Sequence, residues 1–348
     1  MRIGLTGTKA SGKGAVAELL KQMDFIYSST SDRVREEAVA RGKVNYTIKD
    51  LQDIGNELRE KFGNEILAIK TLELVKGNEK VVIDGIRNLG EIEELKRQEN
   101  FILIGVDAPQ EKRFERLVKR ARESDPKTWE DFLVMDKRDS GLGEESSGQQ
   151  VRKCIEQADY FFYNNYPTLE EMKAEFSTGI WGFLNLLKNK RRPSVGEVFM
   201  RQAYEWSHRS TCLRREVGAV ISMENIPISA GYNGAVRNSK HCSEVGCKRT
   251  ELNIPSGQRQ ELCRAAHAEQ NAILNAGRSG RSVVGATLYS TIFPCSHCAK
   301  DIVQSGIKLF LYFGGYDDEL AESILREGKV EVKPFSGVTP KAYTKFWG

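Results

Sequence analysis

Histidine is scarce in this 348-residue chain, and the scarcity is uneven. All four histidines and six of the seven cysteines fall between His208 and Cys298, while the first half holds Cys154 and no histidine. Imidazole and paired-thiol chemistry are therefore excluded from the first half, which must work through backbone amides, lysine, arginine and carboxylates. No apolar run approaches the length needed to span a bilayer. The opening residues Met1-Arg2-Ile3-Gly4-Leu5-Thr6-Gly7 lack the layout of a signal peptide, so a cytosolic, membrane-free protein is expected. Neither charge sign dominates: 52 Lys and Arg against 48 Asp and Glu leave a net +4. That suits anionic small molecules and does not call for a polynucleotide partner. There are no internal repeats and no long low-complexity tract. In a cytosolic protein, cysteines and histidines gathered in one stretch point to metal rather than disulfides.

The length accommodates two domains. Up to about residue 165, compact β-branched runs (Arg2–Thr6, Lys80–Asp84, Phe101–Asp107) alternate with helical patterns. Those helices are expected over Ala15–Gln22, Lys49–Phe62, Glu65–Val75, Gly90–Gln98 and Pro109–Glu123. Such alternation predicts βαβ units in an open parallel sheet. A helix over Thr168–Lys188 leads into the basic cluster Lys188–Ser194 with its Pro193, a boundary signal. The domains are therefore expected at residues 1–190 and 193–348. In the second, a helix (Gly196 to about Trp206) precedes a hairpin, Val217–Ser222 with Pro227–Gly231. A long polar loop follows, then helix His267–Ala276, strand Ala286–Thr291, helix Cys295–Gln304, strand Lys308–Phe313, helix Asp318–Glu327 and strand Val330–Lys333.

Two short motifs carry chemistry. His267-Ala268-Glu269 opens one predicted helix, and Pro294-Cys295-Ser296-His297-Cys298 opens another. Cysteines three apart on a first turn face the same way, and a helix N-terminus favours the thiolate that binds metal. Two thiolates and an imidazole supply the three protein ligands of a catalytic zinc, with a fourth position left open. Glu269, two residues from His267, would stand beside that position and handle protons. Cys-x-x-Cys alone also fits a redox pair or half of a structural zinc site. Both motifs in this order form the signature of zinc deaminases acting on C4 of cytosine or C6 of adenine. His297 is expected as an exposed helix residue.

Residues 200–315 resemble the deoxycytidylate deaminase branch of the cytidine deaminase superfamily. The resemblance rests on Arg209-Ser210-Thr211-Cys212-Leu213-Arg214-Arg215 with Val217-Gly218-Ala219-Val220-Ile221, on Gly231-Tyr232-Asn233-Gly234, on His267–Ile273, and on Thr287-Leu288-Tyr289 leading to Pro294-Cys295. It implies a three-layer α/β/α domain around a mixed sheet, a Zn2+ cofactor, a free cytosine deoxynucleotide substrate (dCMP or dCTP), deoxynucleotide effectors and a homo-oligomer. By the same resemblance Asn233 contacts the substrate; an αL turn residue before Gly234 is the alternative. Tyr316 is a weaker candidate for stacking near the substrate. The resemblance leaves room for a second, structural zinc drawn from Cys212, His241, Cys242, Cys247 and Cys263; cysteines that are simply small buried apolar residues are the other reading.

The first half has its own site. Gly7-Thr8-Lys9-Ala10-Ser11-Gly12-Lys13-Gly14 fits G-x-x-x-x-G-K-[ST] except at Gly14. Amides of Ala10, Ser11, Gly12, Lys13 and Gly14 can cradle phosphates at a helix N-terminus, with Lys13 reaching the terminal ones. The missing hydroxyl puts one magnesium ligand in doubt. The segment resembles P-loop nucleoside monophosphate kinases, some of which share the G-K-G ending, and implies ATP with Mg2+ or another nucleoside triphosphate. Ser31–Arg35 resembles their monophosphate-binding turn, Asp84–Arg87 their acidic strand end, and Arg113, Arg116, Arg120 and Arg122 a lid helix; a solvated basic face is the alternative. A P-loop domain fused to such a deaminase is similar to bacterial anti-phage nucleotide deaminases, which leaves an active kinase, a nucleotide sensor and a defence role open.

Overall fold

The structure, a computed structural model, describes residues 1–43, 45–121, 125–141, 144–188, 193–254, 258–314 and 318–347. The chain divides into two compact units, one of Met1–Arg191 with Ser336–Gly348, the other of Arg192–Phe335.

Strands of the first unit are β1 (Arg2–Gly7), β2 (Ile26–Ser29), β3 (Val81–Ile86), β4 (Phe101–Asp107) and β5 (Tyr160–Tyr163). All their pairings are parallel, in the order β5-β4-β1-β3-β2. The central strands are buried on both faces, which is why they read as continuous apolar runs: Ile3, Leu5, Val82, Leu103 and Ile104 are closed to solvent. Each such side chain contributes roughly 1.5–3 kcal/mol. One face is covered by helices Lys13–Lys21 and Leu169–Lys188, through Val16, Leu20, Phe176 and Phe183. Helices Ile66–Leu74 and Leu89–Lys96 contribute Ala68, Ile92 and Leu95 to the core on β3 and β4.

The second unit holds β6 (Gly218–Met223), β7 (Ile226–Tyr232), β8 (Gly234–Ala235), β9 (Ala265–Ala266), β10 (Thr287–Ser290), β11 (Leu309–Tyr312) and β12 (Glu331–Pro334). Its mixed sheet runs β12-β11-β10-β6-β7, parallel from β12 to β10 and antiparallel beyond. The β6–β7 hairpin turns at Glu224 and Asn225, both with positive φ, the backbone of a type I′ turn. Helix Val195–Ser207 begins in a capping box in which Ser194 and Glu197 satisfy each other's backbone amides.

Three expectations need correction. The second domain does not run to Gly348. β13 (Gly337–Val338) pairs antiparallel with β5, and Thr339 Oγ1 donates to Ala158 O at 2.7 Å. Lys345 Nζ donates to Phe101 O at 2.7 Å and Asp159 Oδ2 at 2.8 Å. These bonds place Ser336–Gly348 in the first unit, because β5 would otherwise present an unpaired edge. Ser31–Arg35 is not a turn; it lies in helix Thr30–Ala40, which Ser29 caps. Of the arginines expected on a lid helix or a solvated basic face, Arg113 is on neither: it points into the buried side of helix Gln110–Arg120, while Arg116 and Arg120 line the cavity beside the glycine-rich loop. Arg113 is buried and clamps Asp136 through both Nη atoms, while Arg120 pairs with Asp125; Arg122 lies outside the described residues. Among the described residues no helix is long and apolar enough to cross a membrane.

Candidate active site

Two helix N-termini and one strand end converge in the second unit. His267 is the N-cap of helix Ala268–Arg278, and Cys295 the N-cap of helix Ser296–Gln304, with Cys298 one turn further in. Both sulfurs lie 3.3 Å from His267 Nδ1, and the three ligand atoms fall within 4.8 Å of one another. Glu269, 2% exposed, accepts a hydrogen bond from Ser290 Oγ at 2.7 Å on Oε1, while its Oε2 lies 3.5 Å from Cys298 Sγ. His297 is exposed, as its place in the motif predicts.

The surrounding packing explains why these groups meet. A Cβ on Gly231 of β7 would stand 2.4 Å from both Ala268 O and Ala272 N. Only glycine lets the strand approach the first turn behind His267. Three bonds fasten that contact: Ser229 Oγ to Ala272 O, Asn271 Nδ2 to Tyr232 O, and Asn275 Nδ2 to Ala230 O, at 2.6, 2.8 and 2.9 Å. Pairing of β8 with β9 sets Gly234 opposite Ala266, beside His267. Asp318 accepts the Ser296 amide on Oδ2 and the Ala321 amide on Oδ1, so one carboxylate caps two helices.

Electrostatics follow from burial and these contacts. Cys295 is pulled down to about 3, first by the hydrogen bond from Cys298 and then by His267; the Cys298 thiol is pushed up. His267 is held above its ordinary range, first by Cys263 and then by Cys295. Burial raises the Glu269 carboxyl, opposed by His267 and by the Ser290 hydroxyl. The donor set fits zinc: one sulfur already favours the thiolate, an imidazole nitrogen faces both sulfurs, and a carboxylate oxygen stands beside them.

Residues 193–313 match the model of the cytidine and deoxycytidylate deaminase zinc-binding region, and residues 3–138 match an AAA domain. ComE operon protein 2 of Bacillus subtilis is 35% identical over 143 residues, covering 41% of this chain and 71% of that protein. The C-terminal half is a deoxycytidylate deaminase domain and the N-terminal half a kinase-like AAA domain. The deoxycytidylate deaminase of Schizosaccharomyces pombe is 29% identical over 339 residues, covering 96% of this chain and 97% of the relative. The UPF0200 protein of Pyrococcus horikoshii is 37% identical over 172 residues, 47% of this chain and 88% of the relative. This hydrolytic deaminase therefore carries a kinase-like domain ahead of its deaminase domain.

Other expected residues of the deaminase fare differently. Asn233 has no positive φ, so the αL alternative fails. Its Oδ1 accepts Val217 N–H and its Nδ2 donates to Arg215 O, both at 2.8 Å, so it braces the approach to β6. Tyr316 lies outside the described residues. Of the residues named for a second zinc, Cys212, Cys247 and Cys263 lie near enough to Cys242 to raise its thiol further after burial, and His267–Cys295–Cys298 is the group of described residues that converges on a metal-sized point. Cys263 also hydrogen-bonds His267, and exposed His241 meets Thr211 Oγ1 at 3.1 Å.

In the first unit of the deaminase, Gly12 (φ 105°) caps helix Lys13–Lys21 in the left-handed region, and Ala10 also has positive φ. Lys13 Nζ donates to Gly7 O and Thr8 O at 2.9 and 3.2 Å; Arg116 and Asn164 donate to Ala10 O and Ser11 O. A cavity of about 620 Å³ opens here and continues past Gly14 to Ser31, Tyr46 and Leu51. Sequence reasoning missed two of its residues. Burial draws Lys9 down to about 8. Asp139, 2% exposed, accepts Gln52 Nε2 at 2.7 Å on Oδ1, while Oδ2 lies 3.5 Å from Arg87 without a hydrogen bond. Lys9 stands at a variable position of the glycine-rich loop and Asp139 in no local motif, so neither was singled out.

Proposed function

We propose that the second unit deaminates a free cytosine deoxynucleotide, dCMP first and dCTP second, to the uracil nucleotide and ammonia. The observation that carries this is the buried carboxylate of Glu269 beside a converged His267–Cys295–Cys298 set. Those three side chains would hold Zn2+, which when bound supplies a Lewis acid that makes water nucleophilic near neutral pH. The proton work falls to Glu269. At Oε2 it takes a proton from the attacking water and returns protons to the ring nitrogen and the departing amine. A C4–O bond forms, the C4–N bond breaks, and water plus cytosine give uracil plus ammonia. Asn233 keeps one amide hydrogen and one lone pair beyond its backbone bonds, and with these it reaches the nucleotide's sugar.

Ammonia release across CMP, dCMP, dCTP and cytidine, with and without ATP, tests the reading. Turnover of dCMP is expected to be fastest, and no release from any of the four by zinc-loaded protein would overturn it. An enzyme with this activity drains the cytosine deoxynucleotide pool, and dCTP levels in expressing cells measure that consequence.

A second reading concerns the first unit. Its cavity extends well past the phosphate cradle, which favours a bound nucleoside triphosphate, with Mg2+, and room for a second small molecule. Radiolabelled ATP with a nucleoside monophosphate panel separates phosphoryl transfer from sensing: a labelled diphosphate marks a kinase, and binding without transfer marks a sensor.

A further inference from the structure

The two carboxylate oxygens of Glu269 stand in different surroundings. Oε1 accepts the Ser290 hydroxyl at 2.7 Å, with Ser290 fully buried and Glu269 nearly so. Oε2 faces the ligand set, 3.5 Å from Cys298 Sγ. Ser290 is itself fixed from three directions. As the last residue of β10 it sits opposite Ala219 of β6 on one side and Tyr312 of β11 on the other. Its oxygen also receives the Ile292 amide at 3.4 Å. With that amide pointing at the hydroxyl oxygen, and a carboxylate that can only accept, the hydroxyl proton is directed to Oε1.

We infer that Ser290 is a positioning residue for deamination: it immobilises Oε1 so that Oε2 alone exchanges protons with water and substrate. The inference rests on the proton-carrying role proposed for Glu269. A glutamate side chain has three rotatable torsions, and an unrestrained carboxylate spends time with its reacting oxygen misdirected. Holding it in one orientation removes that loss. The bond also survives the reaction. When Oε2 carries a proton, Oε1 remains a carbonyl-type acceptor, so the serine keeps its grip in both protonation states. Deleting the hydroxyl frees the side chain and leaves a buried oxygen without its donor.

The test uses full-length, zinc-loaded protein carrying Ser290→Ala, Ser290→Cys or Ser290→Thr, with Glu269→Gln as reference. Zinc content and thermal midpoint are measured first, then kcat and KM for dCMP. Binding follows for two ligands: dUMP, and a deoxynucleotide with a saturated ring bearing a tetrahedral C4 hydroxyl. Ser290→Ala is expected to keep zinc, KM and dUMP affinity while kcat falls about 10- to 100-fold, the usual scale for removing an outer-shell partner. Affinity for the tetrahedral ligand should fall in parallel, because it reports the transition state. Ser290→Thr, which keeps the hydroxyl, should recover most of the kcat. Ser290→Cys, with similar volume and a weak donor, should be intermediate and serves in place of Ser290→Ala if that variant unfolds. Unchanged kcat in the alanine or cysteine variant overturns the inference. So does an equal loss of affinity for both ligands that threonine does not rescue. Unimpaired turnover in Glu269→Gln would instead remove the role of Glu269 and Ser290's with it, whereas its loss beside a fully active Ser290→Ala sinks the serine alone.

Discussion

In the second unit the reacting groups are enclosed: Glu269 and Ser290 are buried and the metal ligands cluster around one point. In the first unit the phosphate loop borders a cavity of about 620 Å³ lined by lysines, arginines and carboxylates. The contrast fits the two proposed tasks. Attack by water on one ring carbon, with proton transfer to its nitrogen neighbours, calls for a few groups in one geometry shielded from bulk water, whereas gripping a triphosphate calls for many donors over a wider surface. The enclosed site depends on single atoms; the open one spreads its hold over many.

Four substitutions would break or sharpen that comparison. Cys298→Ala removes a ligand, and bound zinc and ammonia release should both vanish, as metal analysis and a deamination assay would show; ATP binding should persist. Glu269→Ala should keep the metal and lower kcat by at least about 10²-fold, the scale of general acid–base catalysis. Retained turnover in a folded, zinc-loaded variant would remove its assigned role. Lys13→Ala should weaken ATP binding by about tenfold, the scale of one charge-assisted hydrogen bond, measured by calorimetry. Its rate of dCMP deamination in the absence of ATP should stay unchanged. An unaffected ATP affinity would show that the loop is not the cradle. Lys345→Ala gives the smallest effect. Its side chain is one-third exposed while that of Asp159 is nearly buried, so a stability loss on the order of 1 kcal/mol is expected. Chemical denaturation followed in the first unit would register it, and no change would mean that β13 and Thr339 hold the segment unaided.

The ligand set was legible because it is local. Histidine and cysteines at fixed spacing on helix starts declare themselves whatever the rest of the chain does, and the same holds for the glycine-rich loop. Residues that depend on distant partners stayed hidden. Ser290 gains its meaning only when strand register brings it to Glu269, and Asp139 only when helix Trp129–Ser140 delivers it to the cavity. Arg113 looked like its neighbours until its partner Asp136 was in view. The role of Asn233 was read from a motif, and the structure adds its bracing of Arg215 and Val217. Alternating strands and helices conveyed the parallel sheet. The two residues of β13, far in sequence from β5, carry too little pattern to announce a pairing.

The return of Ser336–Gly348 to β5 has a consequence for biogenesis. The whole of Arg192–Phe335 lies between the rest of the first unit and the segment that finishes its sheet. The first unit therefore stays unfinished through the synthesis of its neighbour, and until the chain's last residues emerge β5 offers a bare strand margin to any passing chain. A released chain shortened to Phe335 would be expected to bind metal normally yet be vulnerable to proteases along β5.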